Sequence, residues 1–268
     1  MSQYKIEAGT GQHIGDRQEQ EDRTALFAAP KAPGYMLAVL ADGMGGHSGG
    51  ALAAEQVIHT AKEIFERFSP LTDDPENILH TIAREADTII KLSAISTEKR
   101  PHSTIVLLIL TPEGKALWGH AGDSRLYRFE GPNFIQRTED HTYQTLLAAQ
   151  NKAQPASISN TTTSQLLTNF LGGKEKKVKL SVDSHAGLQI GDAFLLCSDG
   201  LWQYFSNAEF GAAIAAHPPR QACEMLIKKA RERAVGTKAD NCTLAIVKLS
   251  KADVVLQDYK THGIRRAV

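Results

Sequence analysis

The chain has 268 residues, 42% hydrophobic and 22% charged, and its 30 basic side chains are balanced by 30 acidic ones. That length builds one large domain or two small ones, and the charge balance argues against nucleic acid or an anionic membrane as partner. No apolar run nears the roughly 20 residues that a membrane-spanning helix needs, and residues 1–23 are too polar for a signal peptide. Cys197, Cys223 and Cys242 are odd in number and lack metal-type spacing, so reduced, buried thiols and a cytoplasmic protein are expected.

Residues 4–12 and 23–29 read as short strands around a charged turn at 15–22. The apolar run 36–41 reads as a strand buried on both faces that ends abruptly in Asp42-Gly43. Three more glycines (Gly45, Gly46 and Gly49) follow closely, and an amphipathic helix is then predicted over 51–68. Ser48 is its N-cap, and Leu52, Val57, Ile58, Ala61, Ile64, Phe65 and Phe68 form its inner face. A second helix opens at Asp74 and Pro75 and turns Ile78, Leu79, Ile82, Ala86, Ile89 and Ile90 inward.

Beyond Pro101 the period becomes that of strands, at 103–110, 116–121, 126–130 and 134–137. Residues 139–170 lose periodicity and read as a flap. Strands resume at 178–184 and 193–198, the latter again ending in an Asp-Gly pair, Asp199-Gly200. Ser206 and Glu209 spell a capping box, a helix covers 220–233, and 242–249 is the last strand. Two blocks of strands separated by paired helices predict an α+β layered fold, with one domain over 1–250 and a polar, basic tail at 251–268.

Glu21, Asp22, Asp42, Asp123, Asp199 and Asp240 all fall at strand ends or in tight turns. Carboxylates repel one another, so convergence calls for a hard cation, and oxygen-only donors favour Mg²⁺ or Mn²⁺ over zinc. Two such ions can share a carboxylate and activate a water for attack at phosphorus. Arg17, in the first charged turn, offers a planar fork for two phosphoryl oxygens. A lone Asp-Gly is usually only a turn former, but two that each close a buried strand are hard to explain that way.

These residues sit in five ordered motifs. They are R-x-x-x-E-D (17–22), A-D-G-M-G-G-H-x-x-G (41–50), G-D-S-R (122–125), L-x-x-G-D-x-x-L-L-C-S-D-G-L-W (188–202) and A-D-N-C-T (239–243). Together they resemble the protein phosphatase 2C family, the metal-dependent serine/threonine phosphatases, in its compact bacterial form. The resemblance implies a four-layer αββα sandwich, two antiparallel sheets flanked by helix pairs. It implies a monomeric hydrolase of phosphoserine and phosphothreonine in phosphorylated proteins, opposing a Ser/Thr kinase.

It further implies two Mn²⁺ or Mg²⁺ ions, bridged by Asp42, with the Gly43 carbonyl completing one shell. Asp199 and Asp240 would hold one ion, and Asp22, with Glu21 behind it, the other. Asp123 would help to bind a third, weaker ion. Arg17 would clamp the phosphate, and a metal-bound water would be the nucleophile, so no phosphoenzyme forms. The chain departs from the pattern at Gln20, where asparagine is common, and at Met44, where eukaryotic relatives carry a histidine proposed as general acid. The flap lacks the Gly-x-Ile-Thr and His-Pro elements expected of bacterial members.

Two other enzyme-like readings compete. Residues 46–50 fit the G-x-S-x-G of serine hydrolases, yet Asp42 to Gly46 separate Ser48 from its strand, and too few strands precede it. The glycine-rich stretch also lacks the G-K-[ST] ending of a phosphate loop. A non-catalytic phosphoprotein-binding module is a further possibility, against which stands the full set of acids. His120 reads as a packed histidine, His141 has no evident partner, and Trp202 and Phe205 read as core anchors. The run 174–177 reads as a solvated turn.

Overall fold

A computed structural model describes residues 4–45, 49–96, 100–149, 166–173 and 177–251. Its strands are β1 (Tyr4–His13), β2 (Arg23–Ala28), β3 (Met36–Ala41), β4 (Gly43–Met44), β5 (His102–Ser103), β6 (Ile105–Leu110), β7 (Lys115–Ala121), β8 (Arg125–Glu130), β9 (Asn133–Arg137), β10 (Ser181–Ala186), β11 (Asp192–Cys197) and β12 (Cys242–Lys251). The helices are α1 (Gly49–Arg67), α2 (Pro75–Ser96), α3 (Tyr143–Ala149), the single turn α4 (Asp199–Trp202), α5 (Asn207–Ala216) and α6 (Pro219–Arg233).

Two five-stranded antiparallel sheets run β1-β12-β11-β8-β9 and β10-β7-β6-β3-β2, and β4 pairs with β5 as a short ribbon. Alternation along the strands explains why their sequences read as unbroken apolar runs. Leu37, Val39 and Ala41 of β3 face α1 and α2, while Ala38 and Leu40 face the other sheet. In β11, Ala193, Leu195 and Cys197 face α5 and α6, while Phe194 and Leu196 meet Leu40, Val106 and Leu108 between the sheets. Burial on both faces stacks helix pair, sheet, sheet and helix pair, the four layers that the sequence implies.

Local chemistry sets the helix ends. Asp74 accepts from the Asn77 amide at 2.9 Å ahead of Pro75, and Ser206 with Glu209 forms the expected capping box. Cys197, Cys223 and Cys242 are free and buried.

Three expectations need correction. Leu52 is 42% exposed, because Ala53, Ala54, Val57, Ala61 and Phe65 form the inward stripe of a helix that begins at Gly49. β10 starts at Ser181, because Val178 and Leu180 pack against the α1–α2 layer before pairing with β7 begins. The flap segment carries α3 and the bridge of Thr142 with Leu167, and a further bridge, Ser103 with Leu171, follows just beyond it. The Ser48 cap, His47, most of the 174–177 run and the tail beyond Lys251 lie outside the described residues.

Candidate active site

The acids meet because their strands share an end. Asp42 follows β3, Asp123 follows β7 and Asp199 follows β11, while Asp22 precedes β2 and Asp240 precedes β12. Register places these ends side by side, with Arg23 opposite Ala41, Ile105 opposite Ala121, and Cys197 opposite both Arg125 and Leu244. A cavity of about 830 Å³ opens there, lined among others by Arg17, Glu21, Asp42, Gly43, Asp123, Asp199 and Asp240.

Asp22 is the exception. It is 1% exposed and accepts from the Ser198 hydroxyl at 2.7 Å, whose oxygen in turn accepts from the Thr243 amide at 3.1 Å. Glu21 therefore lines the cavity while Asp22 lies deeper, beside Asp42. Glu21 Oε1 is buried without a hydrogen-bond partner.

Both Asp-Gly pairs have a steric reason. A Cβ on Gly43 would stand 2.1 Å from the Gly50 carbonyl oxygen, and one on Gly200 would stand 1.9 Å from that of Asn241. The Asp42 backbone is tied down as well, since its amide donates to Thr104 Oγ1 at 3.0 Å and its carbonyl accepts from the Thr104 amide at 2.9 Å.

Electrostatics identify what the cluster lacks. Burial, then the charges of Asp22, Asp199, Asp123 and Asp240, push the Asp42 carboxyl well above the usual range. Burial and the neighbouring acids raise Asp199 to about 8. Burial takes Asp22 to about 6 against the lowering effect of Ser198, and burial with Asp140 raises Asp123 to about 6. Among the described residues no three acid, histidine or cysteine side chains close on a single point, and Asp240 is instead held by Arg17 Nη2 at 2.5 Å. Gathered, repelling, oxygen-only donors with an orphan Glu21 oxygen nevertheless match a hard divalent cation in chemistry.

Four features in and around the wall have roles that the sequence reading did not assign. Arg125 grips Asp140 with two bonds of 2.8 and 2.7 Å and lies 3.4 Å over the Trp202 ring. Trp202 is thus a wall of the cavity as well as a packing residue, and its indole donates to the Asp123 carbonyl at 3.0 Å. Asn241 stitches the first turn to β12, accepting from the Glu21 amide and donating to the Ile14 and Glu19 carbonyls. His141 does have partners, in Ser181 Oγ, the Gly122 amide, Asn169 and the stacked ring of His120 at 4.5 Å. His120 is packed as expected. Arg125, Asn241 and Trp202 did leave a trace in the sequence, as members of the G-D-S-R, A-D-N-C-T and S-D-G-L-W motifs that carried no role at the site.

The sequence model described as protein phosphatase 2C matches residues 9–226. Protein phosphatase PhpP of Streptococcus pneumoniae is 25% identical over 82% of this chain and 88% of its own length. The S. agalactiae serine/threonine phosphatase structure aligns with a TM-score of 0.80 at 23% identity, covering 91% of this chain and 99% of that one. The catalytic domain of PstP, solved in complex with two manganese ions, aligns with a TM-score of 0.73 at 23% identity over 92% and 99% of the two chains.

Proposed function

The chain belongs to the protein phosphatase 2C family, and on that premise we propose that it hydrolyses phosphoserine and phosphothreonine in proteins, using Mn²⁺ or Mg²⁺. The observation that carries this reading is the set of buried, mutually repelling carboxylates opening on a cavity with Arg17 at its rim. Asp42, the Gly43 carbonyl, Asp199, Asp240, Asp22 and Glu21 would hold two ions, and Asp123 would contribute to a third. Bound there, the ions supply Lewis acidity, lowering the pKa of a water and neutralising phosphoryl charge.

The chain's own groups do the rest. Ser198 holds Asp22 by donating to its carboxylate, which keeps that donor in one orientation. Arg17 grips Asp240 and can exchange this carboxylate for phosphoryl oxygens, since its guanidinium fits either. Trp202 and the Arg125–Asp140 pair brace the Asp123 turn from the side of the flap. With water or hydroxide as the nucleophile, no side chain is phosphorylated.

One domain over 1–250, with residues 139–170 as flap and 251–268 as tail, holds this activity. The three free, buried cysteines support a cytoplasmic setting, and among the described residues no helix is long and apolar enough to cross a membrane. A Ser/Thr kinase acting on the same proteins is the expected antagonist. Hydrolysis of a phosphothreonine peptide with Mn²⁺, with EDTA, and by an Asp199→Asn variant tests the reading. Turnover that needs the metal and vanishes in the variant supports it, while a folded protein inactive with both Mn²⁺ and Mg²⁺ overturns it in favour of a phosphoprotein-binding module.

A further inference from the structure

A second cavity, of about 1100 Å³, lies beside the acidic one and has the opposite character. Arg100, Lys177 and Lys179 line it, together with His102, His141 and Ser181, and none of its described lining residues is an acid. No ion pair to another described residue engages any of the three cations.

The two cavities share a wall. Thr142 and Leu167, a bridged pair, line the acidic cavity, while their chain neighbours His141 and Thr168 line the basic one. Successive residues of an extended pair point to opposite sides, so this short ladder presents one face to each cavity. The β4–β5 ribbon also stands at this boundary, with Met44 lining the acidic cavity and His102 the basic one.

The wall is built, not incidental. The Thr168 amide donates to the His141 carbonyl at 2.8 Å, and the Tyr143 amide to that of Leu166 at 2.9 Å. Asn169 ties the ladder to the floor, donating to the Lys179 carbonyl at 2.7 Å and accepting from the Lys179 amide at 3.1 Å. Burial lowers His141 to about 4, so at neutral pH this ring serves as an uncharged hydrogen-bonding group. The positive charge of the cavity thus rests on the arginine and two lysines.

We infer that the basic cavity binds an acidic segment of the phosphoprotein, carboxylate side chains or a further phosphate near the phosphoresidue held in the acidic cavity. This assignment rests on the phosphatase reading above, because it makes the second cavity a specificity site for the same substrate. Cations next to a reaction centre select partners by charge, and that selection fades with salt.

Two phosphothreonine peptides that differ only in neutral or glutamate-rich flanks test it, with wild type, a Lys177→Glu/Lys179→Glu variant and an Arg100→Glu variant. Wild type is expected to prefer the acidic peptide by about tenfold in kcat/KM, and both variants to lose that preference while the neutral peptide stays within about twofold. No preference in wild type, or equal losses on both peptides, overturns the assignment. Fluorescence anisotropy of the same peptides, unphosphorylated, reads the cavity without turnover, so failure of catalysis and failure of the cavity remain distinguishable. Tighter binding of the acidic peptide, weakened in both variants, supports the assignment even if no hydrolysis occurs. Displacement by inorganic phosphate with no gain from acidic flanks marks a site for free anions and overturns it.

Discussion

Two strands in opposite sheets, β3 and β11, end in the same dipeptide, and the chain leaves them in different ways. After Asp42-Gly43 it stays extended, forms β4 and pairs with β5; at Asp199-Gly200 it winds into the turn α4. Each glycine faces a carbonyl at a distance no Cβ tolerates, so the shared element is close backbone approach rather than a common turn. The carboxylates differ too. Every leading influence on Asp42 disfavours its charge, whereas a bond from the Gly200 backbone partly relieves Asp199. Equal sequence thus yields unequal electrostatics, and the first junction is the more strongly opposed to its own charge.

The sharpest way to break this comparison is Asp42→Asn. Removing a charge that the fold opposes should abolish turnover, by at least about a hundredfold, yet leave the metal-free melting temperature unchanged or higher. A retained rate above about a tenth of wild type would remove Asp42 from the centre of the site. Alanine at Gly43 or Gly200 tests the steric half. Both should destabilise by about 3 kcal/mol in chemical denaturation, and a variant that unfolds like wild type would show that its junction can relax.

A smaller effect is expected from Arg17→Ala, with KM up about tenfold and metal affinity in calorimetry unchanged. Unaltered kinetics would take the guanidinium out of substrate binding. The smallest effect separates the junctions by pH. Asp199 titrates near 8 in the fold against an ordinary value of 3.8, so its neutral form favours the folded state and that contribution is lost as pH rises toward 8. In EDTA, Asp199→Asn should therefore gain melting temperature over wild type as pH climbs from about 4 to about 8. A difference independent of pH would mean that the acid is charged throughout.

The sequence revealed these junctions because they leave local marks, although the groups that crowd the glycines are distant in the chain. Apolar runs such as 36–41 register burial on both faces, and glycine after aspartate registers the crowding. Leu52 misled for the opposite reason, since helical spacing alone does not say that alanines will hold the inner stripe while a leucine faces out. The depth of Asp22 relative to Glu21 depends on Ser198, a contact across 176 positions that no spacing records. The Arg125–Trp202–Asp140 wall and the partners of His141 are likewise tertiary. Asn241 stood within a recognised motif, but its role becomes visible only once the turn at 14–21 is folded against it.

The pairing of β1 with β12, with Tyr4 opposite Lys251 and His13 opposite Cys242, also bears on the order of synthesis. β1 waits for β12, and Arg17 waits for Asp240 across 223 positions. Closing so long a loop is slow, because its entropy is lost before the contacts form. On the ribosome, the sheet that carries Asp199 remains open along one strand until residue 251 has emerged. Catalytic competence therefore arrives at once and late, and a chain halted just before β12 holds all six acids but no closed site.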